Sequence, residues 1–373
     1  MEIVNRPAWD DASRVEYPTL RGEVTADVCV IGLGGSGLAC ILELLARGKS
    51  VVGLDATRIA AGAAGRNGGF LLGGLAMFHH DAVARLGRAA ASALYRATLT
   101  ELERMSGEMP QIVRRTGSLR IAASPEELED CRAQFEAMRA DGLPVQQYDA
   151  EEGRGLFFPR DAGFDPAARC RALARAAADA GARLYEASPA IELGEGVVRT
   201  PDGAVRARDV IVAVDGNLER ILPELSPRVR TARLQMLATA PLSRTVFPKP
   251  VYSRWGLDYW QQLPDRRVVL GGARDVGGDA EWTSSTEPTS SVQAALELLL
   301  RERLRVDAPI THRWAASVSY TETGLPIVEQ VRAHVWAVGA YSGTGNVLGA
   351  LAGRAAAELV ATGASETADL LRA

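Results

Sequence analysis

The chain has 373 residues, enough to bury a large core and to form two domains, and its 24% charged and 47% hydrophobic residues are those of an ordinary globular protein. A formal net charge of −4 offers no basic field for nucleic acid, and no apolar run approaches the roughly 20 residues of a membrane span. Cys29, Cys40, Cys131 and Cys170 are scattered without a CxxC pair and the four histidines lack ligand spacing. Structural thiols in a reducing compartment are therefore expected, and no metal site.

The stretch 1–21 carries Glu2, Arg6, Asp10 and Asp11 and has no long apolar core, so it does not read as a signal peptide. The expected location is the cytoplasm. Residues 1–23 read as an irregular lead-in, with Trp9 and Tyr17 packing on the first domain. Next, Val28, Val30 and Ile31 have strand character, and Leu38, Ile41, Leu42 and Leu45 recur at helical spacing.

Gly32-x-Gly34-x-x-Gly37 sits between that strand and that helix. Gly32 permits the tight turn, Gly34 lets a pyrophosphate approach the backbone, and Gly37 lets helix and strand pack closely. The diphosphate would meet unpaired N–H groups at the positive end of the helix dipole. Residues 51–54 then form a second buried strand ending at Asp55, an acid placed to accept the ribose hydroxyls of an adenosine. The order strand, glycines, helix, strand, acid favours a dinucleotide site over a glycine-rich turn with a surface aspartate.

Residues 58–70 are rich in small side chains around Arg66-Asn67-Gly68-Gly69. They read either as backbone running along a ligand, with Arg66 and Asn67 as donors, or as a flexible linker; the flanking apolar stretches favour the first. A helix is expected over 81–107 and a hairpin over 112–123. A second helix, capped at Ser124-Pro125, should run to about Arg139. Further helices are expected over 167–180, 287–304 and 347–362. A strand should begin at Leu184, Ile191 should lie in a short strand, and 197–205 should form a hairpin. Residues 209–214 read as a strand in mid-sheet. Short strands between 233 and 273 suggest a mostly antiparallel second sheet, and 335–340 returns to strand character before the Gly343-Thr344-Gly345-Asn346 turn. The run 275–282 has no chemical account at this stage.

Four stretches together resemble the FAD-dependent oxidases related to D-amino acid oxidase, glycine oxidase and sarcosine oxidase: 27–55, 62–69, 259–274, and 323–327 with 339–349. Arg66-Asn67-Gly68-Gly69 and Tyr259-Trp260 most resemble the γ-glutamylputrescine oxidase branch. The resemblance implies an α/β fold with an α+β second domain: a Rossmann-like FAD-binding domain from separated segments (1–85, 150–230, 310–373) and an antiparallel-sheet substrate domain (86–149, 231–309).

It also implies that Gly32, Gly34, Gly35, Ser36, Gly37 and Asp55 hold the ADP half of FAD, with Ala56, Arg58 and Ala63 beside them. Ile191 would meet the adenine through its backbone. Arg66, Asn67, Gly68 and Gly69 would lie along the flavin, and Gly343, Thr344, Gly345 and Asn346 near its pyrimidine end. There a positive helix end would stabilise the charge that reduction creates.

The cysteine and histidine positions used for covalent flavin are absent, so FAD should be non-covalent. The run 314–322 lacks the arginine that glycine-oxidase-like enzymes place before Gly-Leu-Pro, which counts against a simple α-amino acid held there; Arg274 or Arg66 is the alternative cation. Pocket candidates are Tyr259, Trp260, His312, Tyr320 and Tyr341. The implied reaction oxidises the C–N bond of an amine, N-substituted amine or amino acid: hydride passes to flavin N5, the imine hydrolyses, and O2 becomes H2O2. A flavin dehydrogenase with another acceptor, a NAD-dependent Rossmann enzyme and a non-catalytic flavin protein remain rival readings. Oligomeric state is left open.

Overall fold

The computed structural model describes residues 5–10 and 14–372; Met1, Glu2 and Asp11 of the charged N-terminal stretch lie outside the described residues. The chain divides into two units. One comprises Asp11–Gly65, Pro166–Thr231 and Val318–Ala373; the other comprises Met1–Asp10, Arg66–Asp165 and Ala232–Ser317. Of the segments expected in the FAD-binding domain, residues 5–10, 66–85, 150–165 and 310–317 fall in the second unit, and Thr231, expected in the substrate domain, falls in the first. Trp9 is buried in the second unit, while Tyr17 falls in the first.

The first unit is built on strand β1 (Gly22–Ile31), helix α1 (Gly35–Ala46) and strand β2 (Val51–Leu54). β1 pairs in parallel with β2 on one side (Val28↔Val51) and with the strand Gly203–Val212 on the other (Val28↔Asp209). Arg183–Tyr185 extends the sheet beyond β2, and Val335–Gly339 extends it beyond Gly203–Val212, both in parallel. The antiparallel strands Glu192–Gly194, Val197–Arg199 and Ile327–Arg332 complete eight. Apolar side chains on both faces bury the central strands: Val28, Cys29, Val30, Val52, Leu54, Ile211 and Val212 are all closed to solvent. Chain order reverses between β1 and Gly203–Val212, which makes their carboxyl ends the switch point of the sheet.

The second unit carries an eight-stranded sheet. Its order is Ile310–Thr321, Val229–Thr239, Val268–Gly271, Asp258–Gln262, Val251–Ser253, Ser118–Ile121, Gly153–Phe158 and Gln146–Ala150. The unit boundaries at 231/232 and 317/318 fall inside the two long strands. From Met236↔Gly271 onward the pairs are antiparallel except Val251–Ser253 with Ser118–Ile121. The core of one face gathers Leu119, Leu237, Val251, Trp260 and Leu270 against Val292, Leu296 and Leu300.

Several expectations are corrected. The helix over 81–107 is two helices, His79–Leu86 and Arg88–Glu108, because Gly87 takes a φ of 80° between them. Residues 112–123 are no hairpin: Val113–Arg114 pairs with Ala162–Phe164 in a small three-stranded sheet, whereas Ser118–Ile121 joins the large one. Pro288 and the extended Thr289 delay the next helix to Ser290. Ile191 precedes its strand, which begins at Glu192. The helix capped by Ser124, whose side chain accepts from the Glu127 amide, and the Val347–Thr362 helix stand where expected.

Candidate functional site

In the first unit the glycine turn is fixed by space. Gly32 has a φ of 100°, and a Cβ there would lie 2.6 Å from the Ala213 carbonyl oxygen across the switch point. A Cβ on Gly37 would come within 1.9 Å of the Gly32 oxygen. Cβ atoms on Gly34 and Gly35 would face Ala64 at 3.2 Å and the Arg169 guanidinium at 2.9 Å. Gly34 caps α1 without a side chain, and the first turn of α1 carries no acid. The turn therefore presents bare backbone at a helix N-terminus, the environment a diphosphate requires.

Asp55 ends β2 as expected. Its carboxylate accepts from the Leu33 amide at 3.1 Å and the Thr57 amide at 2.9 Å, and burial pushes its pKa up. Ala56 is exposed beside it, and Arg58 begins a loop that packs back on itself. Ala63 opens the short helix Ala63–Arg66. Glu186, for which sequence gave no signal, accepts from the Ile59 amide at 2.7 Å and fixes this loop. Ile191 is 64% exposed, and its amide is already bonded to the Arg199 carbonyl at 2.9 Å.

The 343–346 turn lies in the same unit. Gly343 has a φ of 90°, and the position of its Cβ would be 3.6 Å from the Tyr320 hydroxyl. Thr344 bonds the Tyr341 carbonyl through both amide and hydroxyl. Asn346 stands at the N-cap of the Val347–Thr362 helix, where its side chain makes no capping bond. That helix packs on α1 so closely that a Cβ on Gly353 would fall 2.2 Å from the Ser36 oxygen. Tyr341, a pocket candidate, is 3% exposed, and its ring lies in this seam against Gly345 and Gly349.

At the carboxyl end of Gly203–Val212 stands Asp215. It accepts from the Tyr341 amide at 3.1 Å, with the Ser319 and Ala340 amides close by, and burial raises its pKa to about 7. Glu219 lies below it, bonded to Thr231, whose hydroxyl meets that of Ser319 at 2.8 Å. The apolar run into an aspartate marked Asp215 in the sequence, but not what holds it.

In the second unit Arg66 is anchored rather than displayed: it donates to the Ala315 carbonyl at 2.7 Å and to Asn5, while Trp314 bonds the Arg66 carbonyl. Asn67 accepts from the Gly69 amide in a local turn. The Gly68 and Gly69 carbonyls both accept from Gln261, which also meets Arg114. Tyr259 is half-buried. It lies flat over Gly271 and forms an aromatic cluster with Phe70 and Tyr252 at 5.9 and 5.8 Å between ring centres. Trp260 points to the opposite, core face and is 3% exposed.

His312 bonds Thr311, and burial together with Arg267 and Arg6 lowers its pKa. Arg274 stacks on Trp282 at 4.9 Å. The 275–282 run is explained by Glu281, which is buried in a paired ion bridge with Arg233 at 2.7 and 3.0 Å and accepts from Gln235. Thus Tyr259 stays with Gly68 and Gly69, Tyr320 stays with Gly343, and Arg274, His312 and Arg66 belong to other clusters.

Residues 27–359 match the model of the family described as FAD dependent oxidoreductase, DAO, and the chain belongs to that family. Its cofactor is accordingly FAD. The chain is 28% identical to the gamma-glutamylputrescine oxidoreductase of Escherichia coli, over 92% of this chain and 85% of that one. Among solved structures it is similar to glycine oxidase from Geobacillus kaustophilus (TM-score 0.71, 22% identity, 90% of this chain and 94% of that one). It is likewise similar to L-proline dehydrogenase from P. horikoshii (TM-score 0.74, 18% identity, 94% and 96%). These likenesses fit the expected α/β fold. Among the described residues no helix is long and apolar enough to cross a membrane.

Proposed function

We propose that the protein is an oxidase of C–N bonds in an amine, N-substituted amine or amino acid, with FAD held non-covalently by the unit that contains β1 and α1. Bound there, FAD would supply the two-electron acceptor for a hydride from the carbon next to nitrogen, with O2 as final oxidant giving H2O2 and the imine hydrolysing in water. The observation that carries this reading is the bare glycine turn at the switch point, tied by the Leu33 amide to Asp55. The turn and the N-terminus of α1 would bind the diphosphate, and Asp55 would accept a ribose hydroxyl.

On the second unit, Tyr259, Tyr252 and Phe70 offer a half-buried aromatic face suited to hold an alkyl amine and exclude water from it. With Arg66 committed to Asn5 and Ala315, that face supports an amine or N-substituted amine over a simple α-amino acid. All four cysteines are free and buried, in keeping with a cytoplasmic location.

The test is the visible spectrum of the purified protein, recorded without air before and after addition of pooled amines, N-alkyl amino acids and amino acids. Bleaching by the amine or N-alkyl pool, followed by recovery and peroxide on admission of air, is expected. Bleaching without peroxide assigns a dehydrogenase instead, and a bound flavin that no pool reduces overturns the catalytic reading.

A further inference from the structure

Arg169 lies on the helix Pro166–Asp179 and is 4% exposed. Its Nη1 would stand 2.9 Å from a Cβ on Gly35, so the guanidinium lies directly against the glycine turn at the start of α1. Three segments meet there. The Gly34 Cβ position faces Ala64 at 3.2 Å, and Cys170, next to Arg169, approaches the Ala64 carbonyl with its Sγ at 4.0 Å. The α1 N-terminus adds its dipole and brings no acidic side chain in its first turn.

We propose that Arg169 binds the diphosphate of FAD, its planar fork and full charge reinforcing the backbone donors of the turn. The inference rests on the dinucleotide reading of that turn. The physical case is one of place. A guanidinium beside the N-terminus of a helix adds positive charge where the dipole already favours an anion. The glycine motif lies more than 130 residues away along the chain, and nothing in the spacing links it to Arg169.

The experiment uses the full chain stripped of flavin and compares the affinities of FAD, ADP and adenosine in wild type, Arg169→Leu and Arg169→Lys by calorimetry. Loss of a charged hydrogen-bonding pair predicts FAD and ADP binding weakened about 10- to 100-fold in Arg169→Leu and less in Arg169→Lys, with adenosine unchanged. ADP affinity in wild type should also fall more steeply with salt than in Arg169→Leu. If Arg169→Leu does not fold, Arg169→Gln takes its place.

Unchanged ADP affinity, or equal loss of ADP and adenosine, overturns the proposal, because the second pattern marks a purely structural role. A wild-type protein that binds neither FAD nor ADP overturns the dinucleotide reading itself, a result distinct from either.

Discussion

The Leu33 amide donates to Asp55 Oδ2 at 3.1 Å, joining the turn after β1 to the acid that ends β2. With the Thr57 amide on the other oxygen, the carboxylate is held in place before any ligand arrives. Asp55→Asn keeps the shape but turns one acceptor into a donor that faces an N–H. We expect about a 10-fold weaker affinity for FAD, from loss of one charged hydrogen bond, and a larger loss in Asp55→Ala. Quenching of flavin fluorescence on titration measures both.

Gly37 and Gly107 make a controlled pair. A Cβ on Gly37 meets the Gly32 oxygen at 1.9 Å, so Gly37→Ala must push α1 away from the turn. Overpacking of this kind costs about 1–3 kcal/mol, and the displaced turn should no longer retain FAD. Gly107, near the end of the Arg88–Glu108 helix, has nothing within 4 Å of its Cβ position. Gly107→Ala should therefore be neutral or stabilise by up to about 1 kcal/mol. Thermal unfolding and flavin content of the two variants give the comparison.

The contrast between these glycines reflects what the sequence could reveal. β1, α1 and β2 were legible because strand, glycines, helix and acid follow one another locally, and the Val347–Thr362 helix because its apolar pattern is unbroken. Where partners are distant, local pattern failed. Val113–Arg114 and Ser118–Ile121 look like a hairpin, yet each pairs with residues around 150–164 or 251. Tyr341 reads as a polar aromatic near a ligand loop, and only the close packing of α1 on the last helix reveals that its ring lies in a seam. Arg233 and Glu281 stand 48 residues apart, so the meaning of the 275–282 run was invisible until the strand and the turn came together.

That ion pair is itself testable. Arg233 and Glu281 side chains are 8% and 1% exposed, and Arg233 also donates to the Glu287 and Ala280 carbonyls. Removing one partner leaves a buried charge, so Glu281→Gln should cost about 3–5 kcal/mol. The double variant Arg233→Met, Glu281→Leu should recover much of that loss, since two apolar groups leave no unpaired charge. Denaturant melts of the single and double variants decide it; a double variant worse than the sum of the singles would contradict this account.

Asp161 provides a pH test in the second unit. Its carboxyl is 4% exposed, accepts from the Ser118 hydroxyl at 2.6 Å and the Gly73 amide at 3.0 Å, and burial raises its pKa to about 7. Between the unfolded value near 3.8 and about 7, the folded chain holds a proton that the unfolded chain has released. Folding is therefore favoured by acid in that window, and the contribution is fully present below the unfolded value and lost as pH rises through about 7. Asp161→Asn mimics the neutral carboxyl, since the Ser118 hydroxyl can accept from the new amide while the Gly73 amide keeps its acceptor. Relative to wild type, the variant should gain stability as pH goes from 5 to 8. A difference in melting temperature that stays constant across that range would show that Asp161 is already ionised in the folded protein.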